Sequence, residues 1–300
     1  MEKTEMMINA RKLFNGVTDL PAIPVIVSKV IALLDKQDSD PNTIADLILS
    51  DQVLAARVIR IVNSPLYRTK GEIVSVKRAL LFIGFNKIRE MILTSYFVEG
   101  FNKQAQSFDM RLFWTHSFSV GAISRHIAQQ IRYSDIEKAY LVGILHDIGK
   151  VFLVHYRKEE YGKMLNGIKN TSFTTVEAEA SYFGTTHCEI GHCLAQCWNF
   201  PPSYSDVISH HHHVEKATED VLLTAIVALA DFYCLSHYTA DSIAQASVPA
   251  ESEEHSWNIL KHFASDKLSS SLEHFLTDLD EEYEAISIVV DSLFSTFTEK

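Results

Sequence analysis

Seven residues of this chain have the types and surroundings to do chemistry: His116, His146, Asp147, His187, His211, His212 and Asp231. The densest grouping is the stretch 141–151, Leu-Val-Gly-Ile-Leu-His-Asp-Ile-Gly-Lys-Val, which sets a histidine beside an aspartate in strongly apolar surroundings. Its spacing predicts a helix that starts at Ser134-Asp135, where either side chain can cap it, and stops at Gly149 in a left-handed C-terminal position. On that helix Ala139, Gly143, His146, Asp147 and Lys150 fall three or four apart and share one face, whose small residues admit a second helix closely. A carboxylate buried there without a counter-charge or hydrogen bonds is expensive, so Asp147 needs a partner.

Four other segments repeat the pattern. His116 continues the stripe Val120, Ile123, Ile127, and His187 opens the stripe Ile190, Gly191, Leu194, Trp198. His211 and His212 extend the Val207-Ile208 face four residues on, while Asp231 is a lone carboxylate within Ala-Ile-Val-Ala-Leu-Ala-Asp-Phe-Tyr-Cys-Leu. Taken singly, each reads as a satisfied core residue. Together, five imidazoles and two carboxylates on inward faces ask for more mutual partners than a helical core supplies, and a metal site accounts for them. His126, His155, His210 and His213 fall off these faces and read as solvated or packing residues. The tract His187-Cys188…His192-Cys193…Cys197 invites a zinc-finger reading, but paired ligands for such a site come from loops or turns, whereas here they share one helix and face differently. The cysteines read as small apolar residues.

The elements that position these groups read as helix after helix, with no convincing period-two strand. Residues 1–19 form one helix before the proline-marked turn Leu20-Pro-Ala-Ile-Pro24. Ile26, Val30, Ile31 and Leu34 make the next stripe, Asp40-Pro41 offers an N-cap with proline at the first helical position, and residues 53–62 stop at Asn63-Ser-Pro65. Ser75 caps 76–83, Gly84 breaks it, and Asn86 caps 87–97. A polar joint at 102–107 precedes Asp109, which caps the helix carrying His116. Past Tyr238, residues 250–254 read as a solvated acidic connection to a helix at 257–263. The final segment, 272–297, carries the amphipathic stripe Phe275, Leu279, Tyr283, Ile286, Val290, Leu293, expected to pack back on the bundle.

Composition bounds the function. The 300 residues are 47% hydrophobic, with a mean hydropathy of +0.02, which fits a globular protein with no span for a membrane. A formal charge of −11 disfavours non-specific nucleic-acid binding, which rests on clustered Lys and Arg, while leaving room for a local basic patch. Four cysteines and no signal peptide point to a reduced, cytoplasmic chain.

The segments Leu-Pro-Ala-Ile-Pro (20–24), Ser-Asp-Gln-Val-Leu-Ala-Ala-Arg-Val-Ile-Arg-Ile-Val-Asn-Ser-Pro-Leu-Tyr (50–67) and Ile-Val-Ser-Val-Lys-Arg-Ala-Leu-Leu-Phe-Ile-Gly (73–84) resemble the HDOD family, signalling modules related to the HD superfamily of metal-dependent phosphohydrolases. The resemblance continues through Phe183-Gly-Thr-Thr-His187, Gly191, Trp198-Asn-Phe-Pro201 and the pair His211-His212, and it spans about residues 15–235. One departure is Asp51-Gln52, where the family has Asp-Pro, which should alter only a helix start. The resemblance implies an all-α chain: an N-terminal multi-helix part (1–103) packed against an HD-like metal-binding bundle (104–240), then a C-terminal helical extension (241–300). It further implies that His116, His146, Asp147 and Asp231 hold one divalent ion, with Asp147 bridging to a second held by His187, His211 and His212. Iron and manganese rank ahead of zinc.

Two ions so held can clamp a phosphate and activate water, with Asp147 and Lys150 as the catalytic residues. Lys150 would sit near phosphate oxygens, or it is a plain helix-end lysine favoured by the dipole. Two functions stay open: a signalling module with a retained metal site, acting on a signalling protein or a phosphorylated small molecule, or a phosphohydrolase for a nucleotide or cyclic dinucleotide. Against cyclic dinucleotides, His213-Val-Glu-Lys-Ala-Thr stands where related phosphodiesterases carry Gly-Tyr-Pro. A homodimer is a further expectation.

Overall fold

The computed structural model of the chain describes residues 3–14, 17, 25–34, 40–63, 73–89, 91–92, 96, 108–168, 171, 173–237, 250–264, 268, 271–280 and 283. Among these the architecture is all-α, with no strand. By contact the chain divides into two compact units, one of residues 1–20 and 104–284, the other of residues 21–103 and 285–300.

The second unit contains α2 (Val25–Leu34), α3 (Pro41–Leu49), α4 (Gln52–Val62) and α5 (Val76–Ile83). Its helix starts follow the caps legible in the sequence. Asp40 accepts from the amides of Asn42 and Thr43, Asp51 from Leu54 and Ser75 from Arg78, each satisfying an N–H that the first turn leaves orphaned. The helix after Asp51 begins at Gln52, so the missing proline leaves a normal capped start. Asn63 closes α4 by accepting from Ile73 N and donating to the carbonyls of Ile59 and Ile73. Val30, Ile44, Ile48, Leu54, Val58, Ile61, Leu80 and Ile88 form the core of this unit.

The first unit holds α1 (Lys3–Phe14), α6 (Met110–Gln130), α7 (Ile136–Leu145), α8 (Ile148–Tyr156), α9 (Lys158–Ile168), α10 (Thr175–Phe183), α11 (His187–Cys197), α12 (Pro202–His210), a 3-10 turn (Val214–Lys216), α13 (Val221–His237) and α14 (Ala250–Phe263). Its α1 packs on α11, with Asn9 Nδ2 donating to Gly184 O and Phe14 stacked on Phe152. It therefore groups with the bundle, whereas the sequence reading put it at the head of residues 1–103. The spine of the bundle is α6 with α7 and α13 against it. A Cβ at Gly143 would come 2.8 Å from Gly121 Cα, and one at Gly121 would come 2.8 Å from Tyr140 O, so α6 and α7 meet backbone to backbone. This is the close approach that Gly143 announced.

Several boundaries differ from the sequence reading: residue 17 is already outside the helix expected over 1–19, and Asn86, expected as a cap, lies inside a helical stretch that begins at residue 85. The helix expected to run to Gly149 ends at Leu145, and a new one begins at Ile148, with His146 and Asp147 in the turn between. Gly149 is not a left-handed cap; it lies inside α8, where a Cβ would collide with the backbone oxygen of His187. Contact with α11, not a helix end, demands glycine there. The acidic stretch after Ala250 is not a connection either, since α14 already starts at Ala250. Glutamates are good helix formers and suit the positive first turn. Of the segment 272–297 expected to pack back on the bundle, the first part does so, with Tyr233 donating to Asp280 and Trp257 meeting Phe275, whereas residues 285–300 group with the other unit. The Leu20–Pro24 turn, the joint at 102–107 and the stripe positions Ile286, Val290 and Leu293 lie outside the described residues. No helix among the described residues is long and apolar enough to cross a membrane.

Candidate metal centre

The seven sequence-predicted groups come from five places in the first unit, and the structure brings all of them together. His116 is in the second turn of α6, His146 and Asp147 form the α7–α8 turn, His187 opens α11, His211 and His212 follow α12, and Asp231 lies within α13. Their relative exposures run from 0% for His146 and His187 to 8% for His212.

Asp147 is the hinge of the arrangement. It occupies the N-cap position of α8 yet makes no side-chain cap hydrogen bond, so both carboxylate oxygens are turned inward. Oδ2 lies 3.4 Å from His146 Nε2 and 4.0 Å from His116 Nε2, and those two nitrogens lie 3.5 and 3.0 Å from Asp231 Oδ1. Oδ1 faces the other way, 3.1 Å from His187 Nε2 and 3.6 Å from His211 Nε2. His212 Nε2 completes that side, 3.2 Å from His187 Nε2. Two poles result, sharing one carboxylate.

Hydrogen bonds fix which ring nitrogen faces inward. The Nδ1 of His146 donates to Gly143 O at 2.7 Å, that of His211 to Ile208 O at 3.0 Å, and that of His187 to Glu179 Oε2 at 2.6 Å. Since these oxygens can only accept, Nδ1 carries the proton and Nε2 is left for a ligand. Glu179, fully buried, also accepts from His187 N and from Tyr161 OH. The sequence reading missed it.

Four of the inward atoms lack hydrogen-bond partners: His146 Nε2, His211 Nε2, Asp147 Oδ1 and Asp231 Oδ1 are buried and unsatisfied, as is His212 Nδ1, the ring nitrogen that does not meet His187. Buried polar atoms in that state are costly unless something else binds them. An imidazole and carboxylate donor set, converging at 3–4 Å with tautomers set by outer partners, fits a divalent cation. Electrostatics agree. Burial pushes His146 down, but Asp147 and Asp231 outweigh it and raise the imidazole to about 9. Burial likewise pushes Asp147 and Asp231 up, yet Lys150, His146 and His187 hold the first well below the carboxylate range, and His116 and His146 hold the second there. Burial lowers His211 to about 4, and it lowers His212 as well, aided by the neighbouring His211 and His187. The cluster thus draws positive charge towards its carboxylates.

Lys150 Nζ donates to Asp147 Oδ2 at 2.6 Å. It stands in the first turn of α8, where the dipole disfavours a cation, so the helix-end explanation fails and Asp147 is what holds it. Among the neighbouring histidines, His192 meets Ser209 and His210 pairs with Asp206, as off-face positions should. Cys193 is buried and Cys197 exposed. Cys188 departs from expectation: its sulfur lies within 4.8 Å of a ring nitrogen from each of His187, His211 and His212.

The family model for the HDOD domain matches residues 20–214. A crystal structure of an HDOD domain protein of unknown function from Geobacter sulfurreducens is 31% identical, covers 97% of this chain and 98% of its own, and superposes with a TM-score of 0.81. A candidate phosphohydrolase from Shewanella amazonensis SB2B shares the fold at 22% identity, over 93% of this chain and 97% of its own, with a TM-score of 0.68. An uncharacterized protein of Treponema pallidum is 23% identical over 228 residues, 74% of this chain and 43% of that protein, so the match spans less than half of the relative.

Proposed function

The chain belongs to the HDOD family, and on that premise we propose that it is a signalling protein whose HD-type bundle holds divalent metal at two adjacent positions. The observation that carries this reading is the single carboxylate of Asp147, with Oδ2 turned to His116 and His146 and Oδ1 to His187 and His211. In this reading His116, His146, Asp147 and Asp231 hold one ion, and Asp147, His187, His211 and His212 hold the other. Oxygen and imidazole donors suit iron or manganese, and zinc after them. When bound, such ions supply Lewis acidity towards phosphate and acidify water for attack at phosphorus.

The residues of the chain do the rest. Glu179 and the carbonyls of Gly143 and Ile208 orient the imidazoles, Asp147 ties the poles together, and Lys150 is placed to neutralise charge on a phosphate oxygen. The deep burial of all seven ligands supports sensing ahead of turnover of a bulky substrate. The second reading, a phosphohydrolase acting on a nucleotide or cyclic dinucleotide, is favoured by one observation, the Lys150 ammonium set on the shared carboxylate. The fold shared with a candidate phosphohydrolase is compatible with it.

Elemental analysis of tag-free protein purified without chelator tests the proposal, together with hydrolysis of bis(p-nitrophenyl) phosphate in added manganese or iron. We expect about two equivalents of metal in the parent and a loss of most of it in His146→Ala, Asp147→Ala. Metal retained in that variant overturns the ligand set. Metal-dependent turnover by the parent replaces the signalling reading with the hydrolytic one.

A further inference from the structure

Cys188 is the donor that neither the sequence pattern nor the two-pole description uses. It is a free thiol, 5% exposed, at the second position of α11. The start of that helix is held by a reciprocal cap: Thr186 accepts from Cys188 N at 3.2 Å, and Glu189 accepts from Thr186 N at 3.0 Å. This cap fixes the backbone that presents His187 and Cys188 together. The thiol sulfur then lies within 4.8 Å of one ring nitrogen from each of His187, His211 and His212. A second observation says that this corner asks for a ligand. His211 and His212, both in the cluster with Cys188, each bury one ring nitrogen, Nε2 and Nδ1 respectively, without a hydrogen-bond partner, and both residues are more than nine-tenths buried. Cys193 and Cys234 are also buried, but neither falls in this cluster of histidines.

We propose that Cys188 is a sulfur donor to the ion at the His187, His211 and His212 pole. This inference rests on the metal reading above and deepens it, because it makes the two poles chemically unequal. Thiolate and imidazole donors select borderline-soft ions such as zinc, cobalt(II) or iron(II). The pole of His116, His146 and Asp231, with carboxylate and imidazole alone, accepts harder ions such as manganese. On binding, the S–H bond breaks, the sulfur lone pair goes to the ion and the proton leaves to solvent, with no change of oxidation state.

Cobalt(II) loading of the full chain, followed by electronic absorption, separates the two ideas. Visible d–d bands report cobalt bound in the bundle at all, and a near-ultraviolet thiolate-to-cobalt charge-transfer band reports sulfur ligation. We expect both in the parent and in Cys193→Ser, and loss of only the charge-transfer band in Cys188→Ser, with cobalt stoichiometry kept. X-ray absorption at the zinc edge of zinc-loaded protein should show one sulfur scatterer at about 2.3 Å. Bound cobalt without the charge-transfer band, or the band retained in Cys188→Ser, overturns the role of Cys188 while leaving the metal reading standing. Failure of the parent to take up cobalt, zinc, iron or manganese overturns both.

Discussion

At the scale of single residues, the histidines and aspartates of the site were legible because their types conflict with the apolar faces that carry them. Asp231 among Ala, Val and Leu is the plainest case. Glu179 was not legible, since it sits two residues from Glu177, which is exposed and completes the capping box of α10. What could have separated them is helical spacing: Thr175, Ala178 and Glu179 form the buried stripe, and Glu177 is off it. The carboxylate of Glu179 fixes the proton of His187 on Nδ1. Replacing it by Gln lets the amide donate to Nδ1 as readily as accept from it, which frees the wrong tautomer. Glu179→Gln should therefore weaken metal binding about 10- to 100-fold while circular dichroism stays helical. Isothermal titration with zinc reads the change, and an unchanged affinity would show that Glu179 only fills space.

Among the helices, caps and stripes in the sequence located most starts, from Asp40 and Ser75 to Asp109 and Asp135. The break at His146 and Asp147 was hidden, because nothing in Leu-His-Asp-Ile opposes helix locally. Just past it Gly149 meets the backbone of α11, a tertiary contact that no local signal marks. A second long-range tie governs the segment after α12. Asp206 accepts from the amides of Thr218 and Glu219 at 2.9 and 2.8 Å and from His210 Nδ1 at 2.9 Å, holding the approach to α13. Burial pushes its carboxyl up, but the Glu219 and Thr218 amides and His210 outweigh that and hold it below its usual 3.8. A depressed carboxyl contributes stability above its unfolded pKa and loses it as pH falls through the folded one. Asp206→Asn should cost about 1–3 kcal/mol at neutral pH, and the gap to the parent should close below pH 3.8. Urea unfolding at both pH values measures this; a gap independent of pH would assign the loss to packing instead.

For the whole molecule, the all-α architecture was readable from periodicity alone, because no segment alternates and many carry a 3.6-residue stripe. The grouping of α1 with residues 104–284 was not readable. It depends on Asn9 reaching Gly184, where a left-handed glycine at φ 68° exposes its carbonyl, and no local signal marks that pairing. If the bundle holds metal, stability must depend on free ion concentration. A ligand at a thousand times its Kd adds about 4 kcal/mol by mass action. Chelator should therefore lower the unfolding temperature of the parent and leave that of His146→Ala, Asp147→Ala unmoved. Equal melting with and without chelator, read by calorimetry, would contradict the metal reading.

Asp147 spends its carboxylate on the interior and leaves the first turn of α8 without a side-chain cap. The donors it joins are scattered from position 116 to position 231, so an ion held among them would close long loops of chain much as a covalent cross-link does. Unlike a disulfide, this fastening is exchangeable. Amide hydrogens of α6 and α13 should then trade with solvent at rates set by how much metal the surroundings offer, and the rigidity of the bundle becomes a readable record of that supply.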